Sequence, residues 1–225
     1  MTLEQVNRFI QESNQQDRKW EMIQIEGGEP TLHPDFLEIV STLDAYIRSN
    51  SPSAVLQVNT NGYSKSSQRI LSQLPSGVSV YCSSKTQRTQ AGHLAFNQAP
   101  VDLETDLSLD FSQGCFLPDL YGLGLTRHGY YPHPNCGGID RVFGFNIGRK
   151  TLPGIGDGLD DQFPQLCRYC GLFMFFNRAA VPASLRSNRD FMKGSGKESK
   201  PGEKSESWRC AYRQYHESPP VLSDY

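Results

Sequence analysis

The sequence predicts an α/β fold. Parallel strands form an open sheet or an incomplete (βα) barrel over residues 1–111, a loop-rich Cys-containing unit follows over 112–192, and a tail with a short terminal helix spans 193–225. Three observations predict it. Apolar segments of helical and strand period alternate up to residue 83 with short connections, residues 112–176 are dense in Gly, Pro, aromatic residues and Cys, and the stretch KGSGKESKPGEKSES at 193–207 has no apolar side chain apart from one proline. Alternating strands and helices imply right-handed crossovers and a parallel sheet, whose ligands sit at the C-terminal strand ends.

The first helix is expected from Thr2 to about Gln16, with Leu3, Val6, Phe9 and Ile10 at helical spacing and the pair Thr2 and Gln5 arranged as a capping box. Met22, Ile23 and Ile25 read as a buried strand that stops at Gly27-Gly28, where the backbone needs room or unusual dihedrals. A second helix is expected over Pro34–Ser49, with Pro34 at its first position and Asn50, Ser51 and Pro52 ending it. Val55, Leu56 and Val58 form the next strand, a helix runs through Ile70, Leu71 and Leu74, and Val78, Val80 and Cys82 form a third strand. Beyond it Ser83 to Gln98 is polar, and only weak strand signals surround Val101, Leu103, Leu107 and Leu109. The terminal helix from Ser207 to His216 sets Trp208, Ala211, Tyr212 and Tyr215 on roughly one face, available to dock back.

Composition excludes several classes. Lys+Arg 22 against Asp+Glu 24 gives a net charge of -2, so bulk charge points neither to nucleic acid nor to an anionic membrane. No long apolar run or signal-peptide core is present, and a cytoplasmic location is expected. Six cysteines are too few for a secreted disulfide scaffold, and Cys167-Arg-Tyr-Cys170 reads as a metal or redox pair.

The most informative stretch is Glu26-Gly27-Gly28-Glu29-Pro30-Thr31-Leu32-His33-Pro34, after one strand and before a helix. Two glycines let the backbone approach a ligand, Glu29 is available for a cationic amine, and Pro30 and Pro34 stiffen the exit. The following strand ends in Asn59-Thr60-Asn61-Gly62. Together these resemble the GGEP and TNG segments that follow consecutive barrel strands in radical S-adenosylmethionine (radical SAM) enzymes. The resemblance implies that Gly27, Gly28, Glu29, Pro30, Thr60, Asn61 and Gly62 line a pocket for S-adenosylmethionine, with the first loop at the amino group of its methionine moiety. It also implies that the turns at 27–30 and 59–62 are neighbouring walls of one pocket.

The family's catalytic CxxxCxxC loop is absent, and no Cys precedes Cys82. Without three such thiolates no unique-iron cluster can reduce S-adenosylmethionine. Either the gene product begins upstream of Met1, or the chain is a shortened relative without the radical reaction.

Four later cysteines, Cys115, Cys136, Cys167 and Cys170, suit one tetrahedral site. The run Thr126-Arg127-His128-Gly129-Tyr130-Tyr131-Pro132, the stretch Gly137-Gly138-Ile139-Asp140 and Cys167-x-x-Cys170-Gly171 resemble the twitch or SPASM-like extensions of radical SAM enzymes. That resemblance implies one auxiliary 4Fe-4S cluster, although the full SPASM pattern has more cysteines. A structural Zn2+ at the same four thiolates and unliganded buried thiols stay open. His133 is a reserve ligand or a solvated loop residue, Cys82 a small core residue, Cys210 a packing or surface thiol. Arg127, Asp140 and Arg141 are substrate-side groups or solvated ion pairs.

The expected function is that of a radical SAM oxidoreductase or maturase type of protein, truncated or inactive as this chain alone, with a peptide or small molecule as substrate. The alternative is a noncatalytic scaffold or binding module with a structural four-cysteine zinc site. An uncovered parallel sheet edge would be a partner-binding or aggregation site.

Overall fold

The computed structural model describes residues 1–83, 97–102, 109–177 and 204–225. It comprises two compact units, residues 1–90 and 91–225. No helix among the described residues is long and apolar enough to cross a membrane.

The first unit opens with α1 (Leu3–Gln15), started by the expected capping box: Thr2 accepts from the Gln5 backbone N–H, and the Gln5 side chain takes the Thr2 N–H. Three strands, β1 (Met22–Ile25), β2 (Val55–Thr60) and β3 (Ser79–Cys82), pair in parallel in the order β1-β2-β3. Met22 lies opposite Val55 and Ile25 opposite Val58, while Gln57 lies opposite Ser79 and Thr60 opposite Cys82. All three strand ends that carry loops therefore lie on one side of the sheet. Among the described residues the sheet does not close into a barrel.

One face of β2 holds the sheet to its helices. Leu56, Val58 and Thr60 are buried while their alternate neighbours are not, the period-two pattern of a strand with one covered face. Helix α2 (Phe36–Asn50) covers that face with Phe36, Ile39, Val40, Leu43, Tyr46 and Ile47. Burying each such side chain contributes about 1.5–3 kcal/mol. Phe9 of α1 packs on Tyr46 and on Trp20, locking α1 to α2.

Three expectations for this unit change. Strand β1 is half-exposed rather than buried, because among the described residues it is an edge strand with a neighbour on one side only. Helix α2 begins at Phe36, not at Pro34: His33 Nδ1 accepts the Asp35 N–H and the His33 carbonyl accepts that of Phe36, so a turn occupies the position where the helix was expected to start. Gly27 and Gly28 have no left-handed dihedrals, so they leave space rather than supply an unusual conformation. Helix α3 (Lys65–Leu71) follows the second loop, capped by the Ser64 hydroxyl on the Ser67 N–H.

The second unit contains α4 (Leu117–Tyr121), the hairpin β4 (Gly124–Thr126) and β5 (Gly129–Tyr131), α5 (Pro134–Phe143), α6 (Phe163–Leu166), α7 (Phe173–Phe176) and α8 (Glu206–Glu217). Its core gathers Phe116, Leu117, Tyr131, Ile139, Phe163, Leu166, Phe173, Phe176 and Trp208 together with the four cysteines. The elements are short, so the core is assembled from many aromatic side chains rather than from one amphipathic face. Gly124 is needed for contact, since a Cβ there would lie 2.5 Å from the Pro134 nitrogen at the start of α5.

Residues around Val101 form a 3-10 turn (Pro100–Asp102) instead of a strand. Its carboxylate, Asp102, accepts from the Ser207 N–H at 2.8 Å and the Ser207 hydroxyl at 2.5 Å, which ties it to the start of α8. Leu103, Leu107, most of the polar stretch 83–98 and linker positions 193–203 lie outside the described residues. The expected docking of the terminal helix is present, with Trp208 fully buried.

Candidate functional site

Each unit carries one candidate site. In the first, the loop after β1 and the loop after β2 meet through Glu29. Its Oε1 accepts from the Thr31 N–H (3.2 Å), the Thr31 hydroxyl (2.7 Å) and the Thr60 hydroxyl (2.8 Å). Its Oε2 accepts from the Asn61 N–H at 2.9 Å, with Thr60 Oγ1 at 3.0 Å. The turns at 27–30 and 59–62 are therefore neighbours on one side of the sheet, as the sequence implied.

Partial burial raises the carboxyl of Glu29, but the hydrogen bonds from Thr31, Asn61 and Thr60 outweigh it and hold the group below its ordinary value. Glu29 is thus an anion that can only accept. The single hydrogen of Thr31 Oγ1 must go to it, so the Ser67 hydroxyl, 2.8 Å from Thr31 Oγ1, donates to Thr31. Ser64, 2.8 Å from Ser67, donates in turn. This buried chain of hydroxyls fastens the start of α3 to both loops.

Around this knot the backbone is open. Nothing lies within 4 Å of where a Cβ on Gly27 or Gly28 would sit. Gly62, by contrast, requires glycine: its φ is +60°, and a Cβ would fall 2.5 Å from Cys82 Sγ. Cys82 is accordingly an exposed thiol flush against the second loop, not the core residue expected. Glu26 accepts from Asn59 Nδ2, joining the two strand ends on the other face. A cavity of about 270 Å³ lined by Thr31, His33, Phe36 and Ile70 lies beside the loop. It excludes Glu29, Thr60 and Asn61 and is small against ligand pockets of about 300–1,000 Å³, so it is not the pocket that these loops would form.

No protein-family model, curated protein or solved structure matches this chain. The sites must therefore be read from their own geometry.

In the second unit Cys115, Cys136, Cys167 and Cys170 are all buried, each 5–8 % exposed, within one cluster of buried residues. Cys115 precedes α4 and bridges to Asn177, Cys136 sits in the first turn of α5, and Cys167 and Cys170 flank a 3-10 turn (Cys167–Tyr169). Burial, then Cys170 and Cys115, push the Cys136 thiol well up. Burial and Cys115 push Cys170 up to about 12, partly offset by the backbone N–H groups of Leu172 and Phe173 at its sulfur. Cys115, Cys136 and Cys170 are thus within electrostatic reach of one another.

That reach is looser than ligation. Among the described residues no three Cys, His, Asp or Glu side chains stand together so as to hold a metal ion. Zinc–sulfur bonds need about 2.3 Å, whereas charges act over several ångströms, so the thiols share a cluster without converging on one point. Their chemistry fits a soft centre: all sulfur, enclosed, with backbone N–H groups facing one sulfur.

The reserve groups fall elsewhere. His133 is neither solvated nor an evident ligand. It caps α5, Nδ1 accepting the Asn135 N–H at 3.4 Å, and its ring packs edge-on against Tyr121. Burial holds it down to about 4, so it is neutral. Asp140 is fully buried, not solvated: it accepts from the Tyr131 hydroxyl at 2.5 Å and from the N–H groups of Asn146, Ile147 and Gly148. It fastens the loop after α5. Arg127 forms a two-point ion pair with Asp224 at 2.9 Å. No pattern of residues signals this role of Asp140, because its partners come from an aperiodic loop.

Proposed function

We propose that this chain is a radical SAM type of protein. Its paired strand-end loops bind S-adenosylmethionine and its four buried cysteines hold an auxiliary iron-sulfur cluster. The three-stranded parallel sheet is then part of an incomplete (βα) barrel. The observation that carries the reading is the junction of Glu29 with Thr60 and Asn61, since two loops that resemble consecutive ligand loops of that family form one wall.

In this reading Gly27 and Gly28 leave the backbone accessible to the methionine moiety. Glu29 Oε1 is filled by three donors, while Oε2 keeps capacity for one more, the ammonium of the ligand. Asn61 Oδ1 accepts from the Tyr63 N–H, which leaves its Nδ2 to donate to the ligand carboxylate. Gly62 sets the turn, and Pro30 and Thr31 fix the loop from behind. Binding S-adenosylmethionine is the role these residues themselves would carry, since its cleavage needs three further thiolates in a CxxxCxxC loop. A cluster, when bound, would supply electron transfer, and Cys115, Cys136, Cys167 and Cys170 would supply its thiolates once their side chains turn toward a common point.

One observation favours a second reading. Glu29 already takes hydrogen bonds on both oxygens from the protein itself, as a purely structural fastener would. The chain would then be a binding module whose thiols hold structural zinc.

Calorimetric titration with S-adenosylmethionine separates the two. The first reading expects saturable binding that Glu29→Gln weakens at least tenfold, and no heat from the wild-type protein ends it. Anaerobic reconstitution with iron and sulfide should give a brown protein that loses its colour when Cys136 and Cys170 are changed to Ser. A colourless protein holding one zinc supports the module.

A further inference from the structure

Helix α8 reaches the cysteine cluster through one side chain. Trp208 is its single buried residue, and its Nε1–H donates to the backbone carbonyl of Tyr169 at 2.8 Å. That carbonyl lies inside the Cys167-Arg168-Tyr169-Cys170 turn, whose own closure is the Cys170 N–H to Cys167 carbonyl bond at 3.2 Å. The same indole stands edge-on to Phe143, with ring centres 5.0 Å apart, and Phe143 lies 4.2 Å from the Tyr169 ring. Phe145 completes the cluster, 5.6 Å from both Tyr169 and Phe143.

Phe143 is the last residue of α5, and Cys136 is in that helix's first turn. The indole is therefore the piece in contact with both the helix that presents Cys136 and the turn that presents Cys167 and Cys170. A packing role alone would not need the N–H. Buried indole donors find an acceptor, but here the acceptor is the carbonyl of the Tyr169–Cys170 peptide, whose N–H closes the turn on the Cys167 carbonyl, so a rotation of that peptide would move the Cys170 sulfur and release the bond to Cys167.

We propose that Trp208 is a positioning residue for the cysteine cluster: through the Tyr169 carbonyl it sets the CxxC turn against α5, so that α8 acts as a clasp on the turn that presents two of the thiols. The proposal rests on the reading of these cysteines as ligands for its purpose, but its geometry does not depend on which metal or cluster they hold.

The test compares wild type with Trp208→Phe, which keeps an aromatic ring in the slot and removes the donor. Phe143→Leu serves as a second variant that loosens the stack without touching the hydrogen bond. In the metal-free protein, alkylation is followed at each cysteine by mass spectrometry. The expected result is that Trp208→Phe speeds labelling of Cys167 and Cys170 about tenfold, leaves Cys115 and Cys136 unchanged, and lowers the thermal midpoint no more than Phe143→Leu does. Equal acceleration at all four thiols, or none, overturns the proposal.

Cobalt(II) uptake supplies the second readout. If the wild type binds it, Trp208→Phe should bind more weakly and shift the sulfur-to-cobalt charge-transfer band, and an unshifted band at unchanged affinity overturns the positioning role. If the wild type binds neither cobalt, zinc nor iron, the ligand reading of the cysteines falls, while the labelling pattern still decides whether Trp208 sets the turn.

Discussion

Glu29 Oε2 and the backbone nitrogen of Asn61 lie 2.9 Å apart although 32 positions separate them in the chain. A charged acceptor here holds together two loops that strand pairing alone would leave side by side. Glu29→Gln keeps the shape but turns a four-donor anion into a neutral amide with its own two hydrogens to place. The cost should be about 1–3 kcal/mol. The pH dependence has a definite sign: a carboxyl held below its ordinary value stabilises the fold above that value and loses the contribution as pH falls through the folded pKa. Urea unfolding of the two proteins should therefore show the wild-type advantage at neutral pH shrinking below about pH 4.3.

Gly62 offers a backbone test. With φ at +60°, alanine would incur the left-handed penalty of about 1–2 kcal/mol. The clash with Cys82 adds little, because that thiol is exposed and free to swing. Denaturant midpoints of Gly62→Ala and of the double variant with Cys82→Ala should thus differ only slightly. Full recovery in the double variant would show that sterics, not the dihedral, set the glycine.

Asp140 anchors four donors inside the second unit, so Asp140→Ala should destabilise by on the order of 3 kcal/mol or more by leaving buried N–H groups unsatisfied. Tyr131→Phe removes one of the four and should cost about 1–3 kcal/mol. Burial and Asp140 together push the Tyr131 hydroxyl up, so it stays a donor throughout the neutral range. Chemical denaturation of the two variants checks the ranking, and a larger loss in Tyr131→Phe would contradict it.

Thiol reactivity should divide the six cysteines sharply. Cys82 and Cys210 are exposed, whereas the other four are buried, with Cys136 and Cys170 held protonated. Iodoacetamide at pH 8 should therefore mark Cys82 and Cys210 first. The Glu206 carboxylate, bonded to the Cys210 sulfur at 3.3 Å, keeps that thiol protonated, so Glu206→Gln should speed labelling at Cys210 and nowhere else.

What was legible in the sequence was local. The capping box at Thr2 and Gln5, the three strands and the helix between the first two announce themselves within a few residues. The adjacency of the two glycine-containing loops also followed, because parallel strands place successive exits on one side. The half-exposed state of β1 did not, since edge position is decided by which strands exist elsewhere. Cys82 differs for the same reason: alternation marks it as inward, but no helix among the described residues covers β3. Asp140 and His133 took roles set by turns that fold back on them, and neither turn has a period. The four cysteines were readable as a set from spacing and CxxC, while the indole that organises two of them comes from a helix far along the chain.

Among the described residues the sheet of the first unit has three strands, and of these β2 alone is paired on both sides and covered on a face. All four residues of β3 are solvent-exposed. Resistance to local opening is thus concentrated in the six residues from Val55 to Thr60, and the outer strands can fray around them without unfolding the rest. Since the loop after β2 grows directly from the central strand and the loop after β1 from an edge strand, amide exchange should be slower at Val58 than at Ile23 and Ile25, with the half of the site at Asn61 opening less readily than the half at Gly27 and Gly28.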